Sequence, residues 1–289
     1  MAGASTSCLG RGYAVASDEL GFEFADAAHW FREERSTPYV LVRVDEEHAR
    51  SWAELLGVPV RRCYVSDDVV RDMATASGAS MDALIGARLP DPGSTMAGDF
   101  GEILVYFYQA AVALPDNAIG ALKWRLKQDR TKPAPHSDVV QFIVPSWPIP
   151  SDQDTILCSE VKTKSTNGDS TPIKSAIEDS SKDRTSRLAR TLVWLRERAL
   201  YERVGDASIE HIDRFINATD YPPSHKHFRA VAVICSSIVE NELADAPPET
   251  SPDYTLVVIV VPNLPATYAA VFDAARRATP EQLEADTVP

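Results

Sequence analysis

Cysteines are few and scattered in this chain. The four among 289 residues, Cys8, Cys63, Cys158 and Cys235, form no Cys-x-x-Cys pair. That excludes a disulfide scaffold and a zinc finger or ribbon. Long apolar runs are missing too. Leu256–Val261, the longest near the C-terminus, has six residues, against roughly 20 for a membrane helix. The N-terminus has no apolar signal core, so a cytoplasmic location is expected, and residues 1–20, small and polar, are expected to fray. Three catalytic patterns are absent: the phosphate loop G-x-x-x-x-G-K-S/T, the G-x-S-x-G nucleophile turn and the H-E-x-x-H zinc helix.

Positive charge is also short. The 29 Lys and Arg face 42 Asp and Glu, a formal −13. Strong unaided nucleic-acid binding needs clustered cations, so this balance argues against it. The deficit is uneven, however. Residues 121–200 hold 14 basic and 10 acidic residues, a local +4, which leaves −17 elsewhere. Arg184, Arg187, Arg190, Arg196 and Arg198 read either as the solvated face of a helix or as contacts to a polyanion.

At 44% hydrophobic and 25% charged the composition is globular, and the length suits one large or two modest domains. Periodicity predicts helices over 22–35, 45–56 and 67–74, with strands over 39–44 and 62–65. This α/β segment ends at the Pro/Gly-rich stretch Leu89–Ser94, the expected boundary between domains 1–94 and 95–289. The second part begins with a helix from Met96 to Val112. Strands are expected at 122–127, 138–144 and 155–164, and a mobile polar connection at 165–183. A long helix over 184–203 and a shorter one over 208–216 follow. Strands at 228–236 and 254–261 are apolar enough to be covered on both sides, and 264–278 is a closing helix. The class is α/β, with a meander followed by crossover strands.

The stretch Thr155–Lys164 carries the chemistry. Alternation puts Cys158, Glu160, Lys162 and Lys164 on one face, with Glu160 and Lys162 roughly 7 Å apart along the backbone. Upstream, Asp138 opens an apolar strand, a costly place for a charge unless it is exposed or paired. If the strands are neighbours, Asp138 and Glu160 converge into a hard-oxygen site suited to Mg²⁺ or Mn²⁺. Glu102 could add a third carboxylate from the preceding helix. Lys162 would then orient the nucleophile or stabilise charge on a phosphate. Lys123, Lys164 and His136 are candidate substrate contacts. Each also has a plain reading: Lys123, with Arg125 and Lys127, as a half-exposed strand face, Lys164 as another surface cation, and His136 as a solvated loop residue. Glu160–Lys162 could be a surface ion pair, Asp138 a turn cap, and Glu102 an acid favoured by the helix dipole. His225 and His227 lack the neighbours a metal would need.

The helix with its inward acid, Asp138 at a strand start and Glu160-Val161-Lys162 together resemble the PD-(D/E)XK nuclease superfamily, whose fold is restriction-endonuclease-like. Asp138 matches the family's first acid and residues 160–162 its E-x-K; no proline directly precedes Asp138. The stretches beginning at Gly101 (GEILVYFY), Leu122 (LKWRLK), His136 (HSD) and Ser159 (SEVKTK) are similar to the nuclease subunit of Hachiman anti-phage systems, over roughly residues 95–262. That resemblance implies a metal-dependent DNA endonuclease held in check by a helicase partner, with the N-terminal region contributing to the complex. A catalytically silent interaction subunit and a toxin-type RNA nuclease are the alternatives.

Overall fold

The computed structural model describes residues 17–116 and 118–280. Cys8, and most of the N-terminal stretch expected to fray, lie outside these. The chain begins with two short helices, α1 (Ser17–Leu20) and α2 (Phe24–Ala28). Strands β1 (Arg32–Arg35) and β2 (Val40–Arg43) and helices α3 (Glu46–Leu55), α4 (Gly57–Tyr64), α5 (Asp67–Ser77) and α6 (Met81–Arg88) follow. Next come the long helix α7 (Ser94–Val112) and strands β3 (Ala118–Gly120), β4 (Val139–Ile143) and β5 (Thr155–Lys164). Helices α8 (Pro172–Lys182), α9 (Leu188–Ala199) and α10 (Ile209–Ile216) lead to β6 (His225–Cys235). The short α11 (Val239–Glu242), β7 (Thr255–Val261) and α12 (Leu264–Arg277) complete the fold.

Among the described residues the strands form one seven-stranded sheet, ordered β1-β2-β7-β6-β5-β4-β3. β3, β4 and β5 are an antiparallel meander, whereas β5, β6, β7 and β2 run parallel. The parallel strands β6 and β7 are buried over Ala230–Cys235 and Leu256–Val261, as their unbroken apolar runs require. The stretch 89–94 joins α6 to α7. Strands and core residues from both sides of it share this sheet and one apolar cluster.

Helix α7 lies on one face of β5. Gly101 makes that approach possible, because a Cβ there would stand 2.0 Å from Thr163 Oγ1. On the other face Leu188, Leu192 and Leu195 of α9, with Phe215 of α10, cover Val140, Phe142, Ile156 and Cys158. The candidate chemistry on the even-numbered face of β5 therefore faces the α8–α10 side.

Five local expectations need correction. Residues 22–35 are a short helix and an exposed edge strand, Arg32–Arg35, whose charges suit an edge. The expected strand at 62–65 is the end of α4, where the buried Arg61 guanidinium donates to the carbonyls of Val65 and Ala278, both at 3.1 Å. The expected strand at 122–127 is a 3₁₀ turn, Lys123–Leu126. Its alternating cations turn inward to acids: Lys123 to Glu102, Arg125 to Glu19 and Lys127 to Asp99. The expected mobile segment at 165–183 contains α8, opened by Pro172 and seated by buried Ile173 and Ala176. The expected long helix at 184–203 begins instead with a π-turn, Asp183–Arg187, ahead of α9.

Candidate active site

The antiparallel register pairs Val139 with Ser159, so Asp138 stands across from Glu160 on the same face. Asp138 Oδ2 accepts the backbone N–H of Val161 at 2.8 Å, which ties the acid to the E-x-K stretch. The pairing anticipated from sequence is therefore present as geometry. Burial, followed by the negative charge of Asp138, pushes the Glu160 carboxyl up to about 7.

Glu160 is nearly buried, at 2% exposure. Lys162 Nζ donates to its Oε1 at 2.7 Å, and Arg187 Nη2 donates to its Oε2. Lys162 also pairs with Asp179 of α8 at 2.8 Å. Burial opposes the charge on Lys162, but the hydrogen bonds to Asp179 and Glu160 prevail and raise its pKa. The side chain is therefore a fixed cation near neutral pH, suited to stabilising negative charge and unsuited to taking a proton. Burial likewise opposes the charge on Asp179, yet hydrogen bonds from Lys162 and Lys182 hold it at about 2.

Glu102 approaches from α7, on the opposite face of β5. Its Oε2 accepts Trp124 Nε1–H at 3.0 Å and lies 3.2 Å from Lys123 Nζ. Lys123 Nζ is 3.6 Å from Asp138 Oδ1 and donates to the Ser137 carbonyl at 3.0 Å. Glu102 is thus linked to Asp138 by way of Lys123. Burial raises the Glu102 carboxyl to about 8 although Lys123 lowers it. Lys123 itself is 5% exposed, so the candidate substrate contact is an internal bridge.

The other two candidate contacts line the same groove of about 800 Å³, together with Asp138, Glu160, Lys162 and Arg187. Lys164, 6% exposed, donates to the carbonyls of Gly168 and Ser170 at 2.9 and 2.6 Å and to Glu242 at 2.6 Å. It pins the loop after β5 that walls the groove. His136 adopts a left-handed backbone (φ 72°), with its ring 5.0 Å from that of Trp194. Burial and then the charge of Lys123 lower its pKa.

Three groups that the E-x-K motif does not mark complete the cluster. Asp183 accepts from Arg187 Nε and Nη2 at 2.7 and 2.8 Å and from Ser137 Oγ at 2.6 Å. With Asp179 they form the series 179, 183, 187, a spacing of four that lines one helical face. That spacing was the available signal in the sequence.

Among the described residues, no three Asp, Glu, His or Cys side chains are gathered as a ready-made cation cage. Asp138 and Glu160 make a pair. Mg²⁺ ordinarily takes one or two protein carboxylates and completes its shell with water and phosphate oxygens. The two acids, whose mutual repulsion contributes to the raised pKa of Glu160, fit such a hard cation. Among the described residues no helix is long and apolar enough to cross a membrane.

A search of curated proteins returns no match. One family model, HamA, matches residues 26–275.

Proposed function

Since the chain belongs to the HamA family, matched over most of its length, and is thereby a component of Hachiman anti-phage defence, we propose that it is the effector nuclease of that system. In this reading it is a metal-dependent DNA endonuclease of the PD-(D/E)XK kind, controlled by a helicase partner. The observation that carries the reading is the pairing of Asp138 with Glu160 across β4 and β5, with Lys162 hydrogen-bonded to Glu160 at 2.7 Å. The element order of helix, meander, helices and parallel strands supports it.

Asp138 and Glu160 would hold Mg²⁺ or Mn²⁺, which when bound supplies Lewis-acid polarisation of a phosphodiester and a nucleophile at neutral pH. Lys162, held cationic between Glu160 and Asp179, presents its ammonium to the attacking water and the phosphate as negative charge builds. Lys123 keeps Asp138 in place from below, and Lys164 fixes the wall of the groove. The formal −13 of the chain makes unaided DNA binding weak, so the partner is assigned the task of delivering substrate.

Plasmid cleavage with Mg²⁺ or Mn²⁺, with and without the helicase, tests the proposal. Wild type should cut, and Asp138→Ala and Lys162→Ala should not. Equal cleavage by both variants would place the chemistry elsewhere.

A further inference from the structure

Both oxygens of Glu160 are engaged by cations, Oε1 by Lys162 and Oε2 by Arg187. The two contacts differ in their anchorage. Arg187 has a second, independent hold: Asp183 receives it through two nitrogens at 2.7 and 2.8 Å, and the Asp179 carbonyl accepts Nη2 at 3.0 Å. Asp183 is 2% exposed and is itself fixed by Ser137 Oγ at 2.6 Å. The guanidinium can therefore lose Glu160 without losing its seat. The π-turn Asp183–Arg187 aims it inward, a local widening of the helix that often accompanies functional sites.

We propose that Arg187 is a positioning residue that competes with a divalent cation for Glu160, holding Oε2 and yielding it on binding while Asp183 retains the guanidinium. The inference rests on the reading of Asp138 and Glu160 as a divalent-cation site. It gives Asp183 a definite part: the acid draws Arg187 away from Glu160, so the balance between the two carboxylates sets how readily a cation enters.

Mn²⁺ binding to the full chain, followed by the paramagnetic signal of the free ion, separates the possibilities. Arg187→Met should bind Mn²⁺ about tenfold more tightly than wild type, the scale of one charge-assisted hydrogen bond. Asp183→Asn, which leaves Arg187 to Glu160, should bind it more weakly. Arg190→Met removes an equal charge three residues further on, from an exposed side chain bonded to Ser186, and should match wild type. An Arg187→Met affinity equal to or below that of wild type overturns the inference. So does an Arg190→Met gain as large as that of Arg187→Met, since the effect would then be bulk charge. If Arg187→Met does not fold by circular dichroism, Asp183→Asn decides: weaker binding supports the inference and unchanged binding overturns it. Glu160→Gln separates this inference from its premise. Loss of Mn²⁺ binding there, with no gain in Arg187→Met, refutes Arg187 alone. Wild-type affinity in Glu160→Gln refutes the cation site and the inference with it.

Discussion

Replacing Lys123 by Met should destabilise the fold before it affects any ligand. The ammonium lies 3.2 Å from Glu102, 3.6 Å from Asp138 and 3.0 Å from the Ser137 carbonyl, with 6% of the side chain exposed. Removing one member of a buried ion pair costs about 3–5 kcal/mol. Glu102 lies at the lower end of that range, because burial already raises its carboxyl to about 8 and it can hold its proton once Lys123 is gone. A loss of about 3 kcal/mol lowers the melting temperature by about 6–12 °C for a domain of this size. Met keeps the length of the stem, so lost packing contributes little. The double variant Lys123→Met with Glu102→Gln should recover part of the loss, since the acid that Lys123 meets at 3.2 Å is then neutral. Urea unfolding of the single and double variants, followed by tryptophan fluorescence, gives the coupling energy directly. Lys123→Met with wild-type stability would refute the bridge and return Lys123 to the groove as a substrate contact.

Stability should also fall as pH rises through about 7 because of Asp206. Burial, then the charge of Glu19, raises its carboxyl to about 7. An acid raised in the folded state favours folding below its unfolded pKa and loses that contribution as pH climbs past the folded value. Asp206→Asn should therefore gain up to about 4 kcal/mol over wild type at pH 8 and nothing at pH 4; parallel pH profiles of urea midpoints would contradict this. Asp154→Ala should cost about 3–5 kcal/mol, because it strands the Arg214 guanidinium, which donates to Asp154 at 2.6 Å with 1% of each side chain exposed. Asp154→Leu with Arg214→Met should cost less than that single variant, and a larger loss in chemical unfolding would contradict the account.

The parts of the fold legible in the sequence were those where local pattern and burial agree. β5, α7 and α12 show the strand or helix period of their elements, and β6 and β7 show the unbroken apolar run of strands covered on both faces. The stretch 122–127 misled because its alternation of Lys and Arg with apolar residues imitates a half-exposed strand. The acids that draw those cations inward, Glu19, Asp99 and Glu102, come from other elements. α8 was hidden by polar composition and shows as a helix only once Ile173 and Ala176 find the sheet. In the site, Asp138, Glu160 and Lys162 were readable because strand alternation and pairing dictate their common face. Glu102 lines the groove with Asp138 and Glu160, but it comes from α7, which Gly101 seats against β5, and it meets Asp138 through Lys123, a link that strand alternation does not show. The sequence leaves Arg187 open between a solvated helix face and a contact to a polyanion, and neither reading points to Glu160. The spacing 179, 183, 187 marks a common helical face, but the acid that Arg187 meets there, Glu160, comes from β5 and is not visible in that spacing.

Anomalous diffraction from Mn²⁺-soaked crystals tests the shared cation most directly. One peak is expected, bonded to carboxylate oxygens of both Asp138 and Glu160 at about 2.0–2.3 Å. A fully soaked crystal with no peak between those two acids, or with manganese bound elsewhere, would contradict it.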